Sequence, residues 1–174
     1  YEKAPLTDEQ FTKVHMMTVK AAIEYLFYDQ EDLSGVYRTI ANIGYNKFIR
    51  YMAMEKGLPE LLHLLKSKGY IVAVATNRTG SMEQLLKDFK LDKSFDMVVT
   101  ALTVKRPKPD PEQLELIMET YSLTPEQILF IGDSEYDSQA AASAQVWFTA
   151  FKNPKLKAHA YVNSMDEIAE ILNI

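Results

Sequence analysis

The segment Ile128-Leu129-Phe130-Ile131-Gly132-Asp133-Ser134-Glu135-Tyr136-Asp137 joins a short apolar run to a glycine and two carboxylates four positions apart. The run is too short for a helix and is closed by a turn signal, so it reads as a buried strand. Gly132 is expected to let the backbone turn sharply at the strand's carboxyl end. Open α/β sheets bind their ligands at that end. Asp133 would then project into the crevice, with Asp137 one helical turn further on. Two carboxylates placed there suit a hard cation such as Mg²⁺ and a neighbouring lysine. An N-cap Asp followed by an ordinary acidic first turn would leave the same local pattern. What else the chain brings to that crevice therefore decides the reading.

Residues 7–56 read as helical throughout. Thr7-Asp8-Glu9-Gln10 has the form of a capping box, and Phe11, Val14, Ala21, Ala22, Tyr25 and Leu26 follow at helical spacing. A polar break at 28–35 precedes a second helical stretch through Val36, Ile40, Ile43, Phe48 and Met52. From Leu58 the pattern changes to strands alternating with helices. Pro59 and Gly69 frame a helix over 60–68. Residues 70–75 form a continuous apolar strand of the kind buried on both faces of a parallel sheet. A helix over 81–90, a strand over 97–100, a helix over 111–121, the strand 128–131 and a helix after Asp137 follow. Closing strands at 146–151 and 160–162 precede a last helix capped by Ser164 with Glu167. This alternation predicts an α/β fold with a doubly wound, Rossmann-like parallel sheet.

The chain has 174 residues, is 47% hydrophobic and carries a net charge of −5, with a pI of about 5.3. It can bury a core of one domain plus a small subdomain. Its acidity argues against nucleic acid as a general partner. No stretch approaches the ~18 consecutive apolar residues of a membrane span. There is no cysteine, which excludes disulfides, thiolate zinc sites and cysteine nucleophiles. The chain opens on Tyr1 rather than Met, so a leader upstream stays open.

Three features fall at successive strand ends. Thr76 and Asn77 follow the strand 70–75. Lys108 lies in the Pro-rich loop 104–111 after the next strand, and Asp133 with Asp137 follows the third. A hydroxyl with backbone amides, a lysine and a metal-binding carboxylate are the parts that phosphoryl transfer requires, since its catalysis is mostly positioning and charge neutralisation.

In this order, Thr76-Asn77, Lys108-Pro109-Asp110-Pro111 and Gly132-Asp133-Ser134-Glu135-Tyr136-Asp137 resemble the second, third and fourth motifs of the haloacid dehalogenase (HAD) superfamily phosphatases. The resemblance covers residue 57 to the C-terminus, and residues 1–56 resemble the family's mobile helical cap. It implies that Thr76 hydrogen-bonds a phosphoryl oxygen with help from the Asn77 amide. Lys108 would neutralise nucleophile and phosphate, Asp133 would ligate Mg²⁺, and Asp137 would hold Lys108 or a metal-bound water. Lys105 and Arg106 read better as a solvated basic loop.

Two departures stand out. Ala144-Gln145 occupies the place of the family's usual Ala-Gly, which puts the next turn in question. More important, the first motif, DxDGT/V after an apolar strand, is absent. It supplies the family's nucleophilic Asp and its general acid/base. Asp29-Gln30-Glu31 is a poor substitute, because it follows a helical pattern. In a sheet of this type the missing strand is central, between those ending at Thr76 and Asp133. The natural polypeptide is therefore expected to extend upstream by a strand and a short loop, roughly 10–30 residues.

The resemblance implies a Mg²⁺-dependent, phosphoglycolate phosphatase-like enzyme acting on a small phosphorylated metabolite through an aspartyl-phosphate intermediate, cytoplasmic and monomeric or homodimeric. The 174 residues alone are expected to be inactive. A phosphomutase of the same superfamily and a catalytically inactive HAD-like binding protein stay open as alternatives. The dehalogenase branch, which needs no metal, is disfavoured by Asp133. His15, His63 and His159 read as structural or exposed. Tyr45, Phe48, Tyr51 and Met52 read as the core of the helical part, and Arg78 and Thr79 as substrate contacts or as the start of a helix.

Overall fold

The computed structural model describes residues 3–44 and 46–174, and its helices begin where the side-chain caps lie. Thr7 accepts the Gln10 amide while the Gln10 side chain accepts the Thr7 amide, and this capping box starts α1 (Asp8–Met16). Met17 then turns extended, and Thr18 caps α2 (Val19–Leu26) by accepting the Ala21 amide. The expected single helix through Leu26 is thus two, because a Thr that bonds the backbone three residues on favours a new start over continuation. α3 (Ser34–Ile43) and α4 (Asn46–Ile49) complete the N-terminal part. Residues 50–56 are not helical, so the helical stretch stops seven residues before the expected limit. Phe48 and Tyr51 are exposed rather than core, and Ile23, Val36 and Ile49 are buried instead. Tyr45 lies outside the described residues.

The remainder alternates as expected. Gly57, at positive φ, precedes α5 (Leu58–Ser67), whose second residue is Pro59. There follow β1 (Ala73–Ala75), α6 (Met82–Asp88), β2 (Met97–Val99), α7 (Glu112–Tyr121), β3 (Leu129–Gly132), α8 (Glu135–Ala144), β4 (Trp147–Phe151), β5 (Ala160–Val162) and α9 (Met165–Ile171). Ser164 caps α9 by accepting the Glu167 amide. All pairings are parallel. β1 pairs with β2, placing Ala75 opposite Val99. β3, β4 and β5 form a second sheet in that order, with Gly132 opposite Ala150.

Side chains that alternate along the strands serve two helical layers. Ala75, Phe130, Phe148 and Ala150 pack with Leu114 of α7 and the alanines of α8. Val72, Val74 and Val98 meet α5 and α6, while Ile131, Phe151 and Val162 meet α5 and α9. Helices on both faces of parallel strands make this a doubly wound, Rossmann-like α/β fold. Ala140 and Ala141 are fully buried, and their small size lets α8 lie close on the sheet.

Among the described residues no backbone hydrogen bond joins β1 to β3, so the strands form two sheets rather than one. The strand expected over 70–75 is correspondingly short. It starts at Ala73 and is only half-buried; just before it, Val72 donates its amide to the Asp96 side chain while its carbonyl accepts the Asp96 amide.

Candidate active site

The carboxyl ends of β1 and β3 face a common cleft of about 1010 Å³, lined by Thr76, Asn77, Lys108, Asp133, Ser134 and Asp137, among others. The five residues singled out by motif, which follow three different strands, therefore come together. Lys108 is central. Its Nζ donates to the Ala75 carbonyl at 2.7 Å and to Asp137 Oδ1 at 2.6 Å, and lies 5.4 Å from the Phe130 ring centroid. One ammonium thus reaches the end of β1, a side chain of β3 and the first turn of α8. The Lys108–Pro109 peptide is cis.

Asp137 has both oxygens committed. Oδ1 accepts from Lys108, and Oδ2 accepts from the Ser134 amide at 3.0 Å and the Ser134 hydroxyl at 2.5 Å. Ser134 in turn accepts the Asp137 amide, which makes a capping box at the start of α8. The helix begins at Glu135, so Asp137 is its third residue rather than the residue before it. A carboxylate there also meets the positive end of the helix dipole. Gly132 proves necessary for a reason other than the turn expected of it. Its φ is not positive, but a Cβ on it would lie 2.5 Å from Asp137 Cβ and 2.6 Å from Cγ. The glycine makes room for the carboxylate that holds Lys108.

The segment 75–77 is fastened to the loop and helix that follow Pro107. Besides the Lys108–Ala75 bond, Gln113 Nε2 donates to the Thr76 carbonyl at 2.9 Å, and Asn77 Nδ2 donates to the Lys108 carbonyl at 2.7 Å. The same Asn77 Nδ2 donates to the Met16 carbonyl at 2.9 Å, where α1 ends. The Thr76 amide is bonded to Val99, and its Oγ1 accepts the Arg78 amide. Asp133 is exposed to the cleft, and its backbone carbonyl accepts from Asn153.

Donor chemistry decides what a cation could use here. Both oxygens of Asp137 are engaged by Lys108 and Ser134, and Asp133 is the motif carboxylate exposed to the cleft. Among the described residues no group of three or more His, Asp or Glu side chains is placed to hold a metal. Mg²⁺ commonly keeps several waters and takes one or two carboxylates together with substrate phosphate. Asp133 fits as one such ligand.

Lys105 and Arg106 point away from this chemistry. Their amides donate to the Glu112 carboxylate, and Arg106 Nε pairs with Asp110 at 2.8 Å. Arg78 and Thr79 line the cleft, as do His15, which the sequence marks as structural or exposed and which is exposed, and Lys47, which sequence reasoning passed over. His159 is structural, its Nδ1 accepting the Phe148 amide. Gln113 was also missed. It is fully buried beside Leu114 and Ile117, and a polar residue on the apolar stripe of an amphipathic helix was the available signal. Asp29 is exposed and paired with Lys3 at 2.5 Å, outside any strand. Among the described residues no helix is long and apolar enough to cross a membrane.

The model of the haloacid dehalogenase-like hydrolase family matches residues 1–151. A phosphoglycolate phosphatase of Mannheimia succiniciproducens is 34% identical over 140 residues, covering 80% of this chain and 53% of that protein. The pyrophosphatase PpaX of Bacillus cereus is 33% identical over 122 residues, covering 66% of this chain and 56% of its own. The chain thus spans about half the length of these curated relatives. The crystal structure of a HAD-superfamily hydrolase, subfamily IA, from Geobacter sulfurreducens superimposes with a TM-score of 0.76 at 34% identity, covering 99% of this chain and 81% of that one. With Lys108 set between the strand ends and Asp133 on the same cleft, this chain belongs to the haloacid dehalogenase-like hydrolase family.

Proposed function

We propose that this chain is the larger part of a Mg²⁺-dependent phosphatase that hydrolyses a small phosphorylated metabolite through an aspartyl-phosphate intermediate. The observation that carries the reading is the placement of Lys108, whose buried ammonium is held between Ala75 and Asp137 with Thr76 and Asp133 on the same cleft. The names of the two curated relatives, a phosphoglycolate phosphatase and a pyrophosphatase, support phosphoryl hydrolysis as the chemistry.

In this reading the phosphoryl group lies at the carboxyl ends of β1 and β3. Thr76 donates its hydroxyl proton to one phosphoryl oxygen, its Oγ1 already oriented by the Arg78 amide. The backbone amide of Asn77 serves a second oxygen. Lys108 offsets the negative charge that two approaching anions, carboxylate and phosphate, bring together. Asp137 keeps that ammonium aimed. Asp133 would hold Mg²⁺, which supplies charge neutralisation on the phosphoryl oxygens.

The nucleophile belongs to a strand outside residues 1–174, seated between β1 and β3. The split into two sheets supports this placement, since unpaired strand edges facing each other are ordinarily avoided in native folds. The carboxylate oxygen of that Asp attacks phosphorus as the ester P–O bond breaks, the general acid/base of the same motif gives the departing ester oxygen its proton, and water, losing a proton to that same group, then hydrolyses the acyl phosphate. Residues 1–56 act in this reading as a cap over the cleft, and closing it would exclude water from the reacting group.

The test uses the full-length protein and an aryl phosphate. Activity should vanish on exhaustive chelation and return with Mg²⁺, and Asp133→Asn should lower it about 100-fold or more at any Mg²⁺ concentration. Turnover that survives chelation would sink the metal assignment. Absence of turnover on every phosphomonoester tried would favour a binding protein.

A further inference from the structure

The two walls of the cleft differ in chemistry. The strand-end wall carries Thr76, Asn77, Lys108 and Asp133. The facing wall is built by α2 and α3. On α2, Val19, Ala22, Ile23 and Leu26 line the cleft at positions i, i+3, i+4 and i+7, a complete apolar stripe. On α3, Ile40 and Ile43 line it one turn apart. The helices already have their own buried residues in Ile23 and Val36, yet Val19 is 43%, Ile40 36% and Ile43 45% exposed. These branched side chains keep exposed surface and line the same cleft as Thr76 and Lys108.

We infer that the substrate is a phosphomonoester whose alcohol part is apolar, an alkyl or aryl group seated on Val19, Ile40 and Ile43. The inference rests on the phosphatase reading and narrows its substrate class. A second anionic group in the leaving part, as in a carboxylated or diphosphate substrate, would be brought against branched aliphatic side chains that offer it no hydrogen bond, and a polar group buried without a partner is penalised. His15, Lys47 and Arg78 also line the cleft; the first two are exposed, so their charges are screened by solvent and salt and do not replace a desolvated partner, while Arg78 follows Thr76 on the strand-end segment and is already engaged there. An apolar group gains from the same surface in proportion to the area it covers.

The test is a chain-length series on the full-length protein. Among methyl, butyl, hexyl and phenyl phosphate, kcat/KM should rise about two- to fourfold per methylene that reaches the wall. Phosphoglycolate and pyrophosphate should fall below hexyl phosphate. The double substitution Ile40→Ser with Ile43→Ser, at two exposed positions, should reduce that slope by at least half. Should the double variant unfold, binding of n-alkylphosphonates to the unsubstituted protein, followed by calorimetry, reads the same wall without turnover and should tighten along the series. A flat or inverted series in either measurement overturns the inference, including the case in which the apolar wall is covered by upstream residues of the protein. Failure to hydrolyse any phosphoester, with phosphonate affinity still rising with chain length, would overturn the phosphatase reading and leave the apolar subsite standing.

Discussion

Lys108 Nζ and Asp137 Oδ1 are 2.6 Å apart, with the two side chains only 10% and 7% exposed. Burial of this pair makes each partner depend on the other. Removing one charge leaves an uncompensated ion in a site of low dielectric, typically a loss of about 3–5 kcal/mol. Asp137→Ala should therefore destabilise the fold by about that amount and also lower turnover. Lys108→Met, which removes the charge but keeps the bulk, should leave Asp137 with its Ser134 bonds and destabilise less, while turnover in the full-length protein falls about 100-fold or more. Denaturant unfolding and steady-state kinetics on the two variants separate the effects. Equal stability losses would contradict this account of the pair.

Gly132→Ala tests the room made for Asp137. The added methyl would overlap Asp137 Cβ and Cγ, and overpacking of this kind usually costs about 1–3 kcal/mol. Because the displaced group is the one that holds Lys108, activity should fall with stability. A melting temperature unchanged from the parent chain would mean that the Asp137 side chain has space to retreat.

At the end of α8 the expected effect has the opposite sign. Gln145 takes a left-handed conformation, φ 59° and ψ 25°, and its amide closes the helix on Ala141 and Ala142. Its side chain is exposed, so replacing it disturbs no core contact. Glycine pays no steric penalty there, and Gln145→Gly should stabilise the protein by about 1 kcal/mol, seen as a rise in melting temperature of about 2–4 °C for a chain of this size. The position that departs from the family's Ala-Gly pattern keeps its turn geometry at a cost in backbone strain.

Stability toward acid should depend on Asp96. The Lys66 side chain and then the Val72 amide hold its carboxyl below its ordinary value of 3.8. A carboxylate whose folded value lies below the unfolded one contributes stability that is complete above about 4 and is lost as pH falls through the lower, folded value. Asp96→Asn should cost on the order of 1 kcal/mol at neutral pH, and the variant's unfolding free energy should decline less steeply than the parent's below pH 4. Parallel declines would show that other carboxylates dominate the acid limb.

Much of this architecture was legible from local chemistry. Thr7 and Ser164 announce their helices because a cap is a bond between residues three apart. Thr76, Lys108 and Asp133 could be brought to one cleft because strand ends in a parallel sheet share an edge. What escaped depends on distant partners. Residues 70–72 have the composition of a strand, yet the Val72 amide bonds a carboxylate 24 positions away. Phe48 and Tyr51 look like core to any hydrophobic pattern and are exposed, since nothing in sequence says which face of a short helix meets its neighbours. The clearance that Gly132 gives Asp137 escaped for the same reason: a turn is a local property, whereas clearance is one of packing.

The division of the strands into β1–β2 and β3–β4–β5 affects how the chain is held together. Helix α7 touches β1 and β2 on one side and α8 on the other, and with Lys108 and Gln113 it forms the joint between the halves. Across that joint, among the described residues, cohesion comes from side chains rather than from a hydrogen-bonded ladder. In the phosphatase reading, a further strand seated between β1 and β3 would supply that ladder, so the two halves depend on it to be held as one sheet. The cleft residues Thr76 and Asn77 belong to the half with the shorter sheet, and Asp133 and Asp137 to the half with the longer one. Any relative motion of the halves therefore falls on the cleft itself.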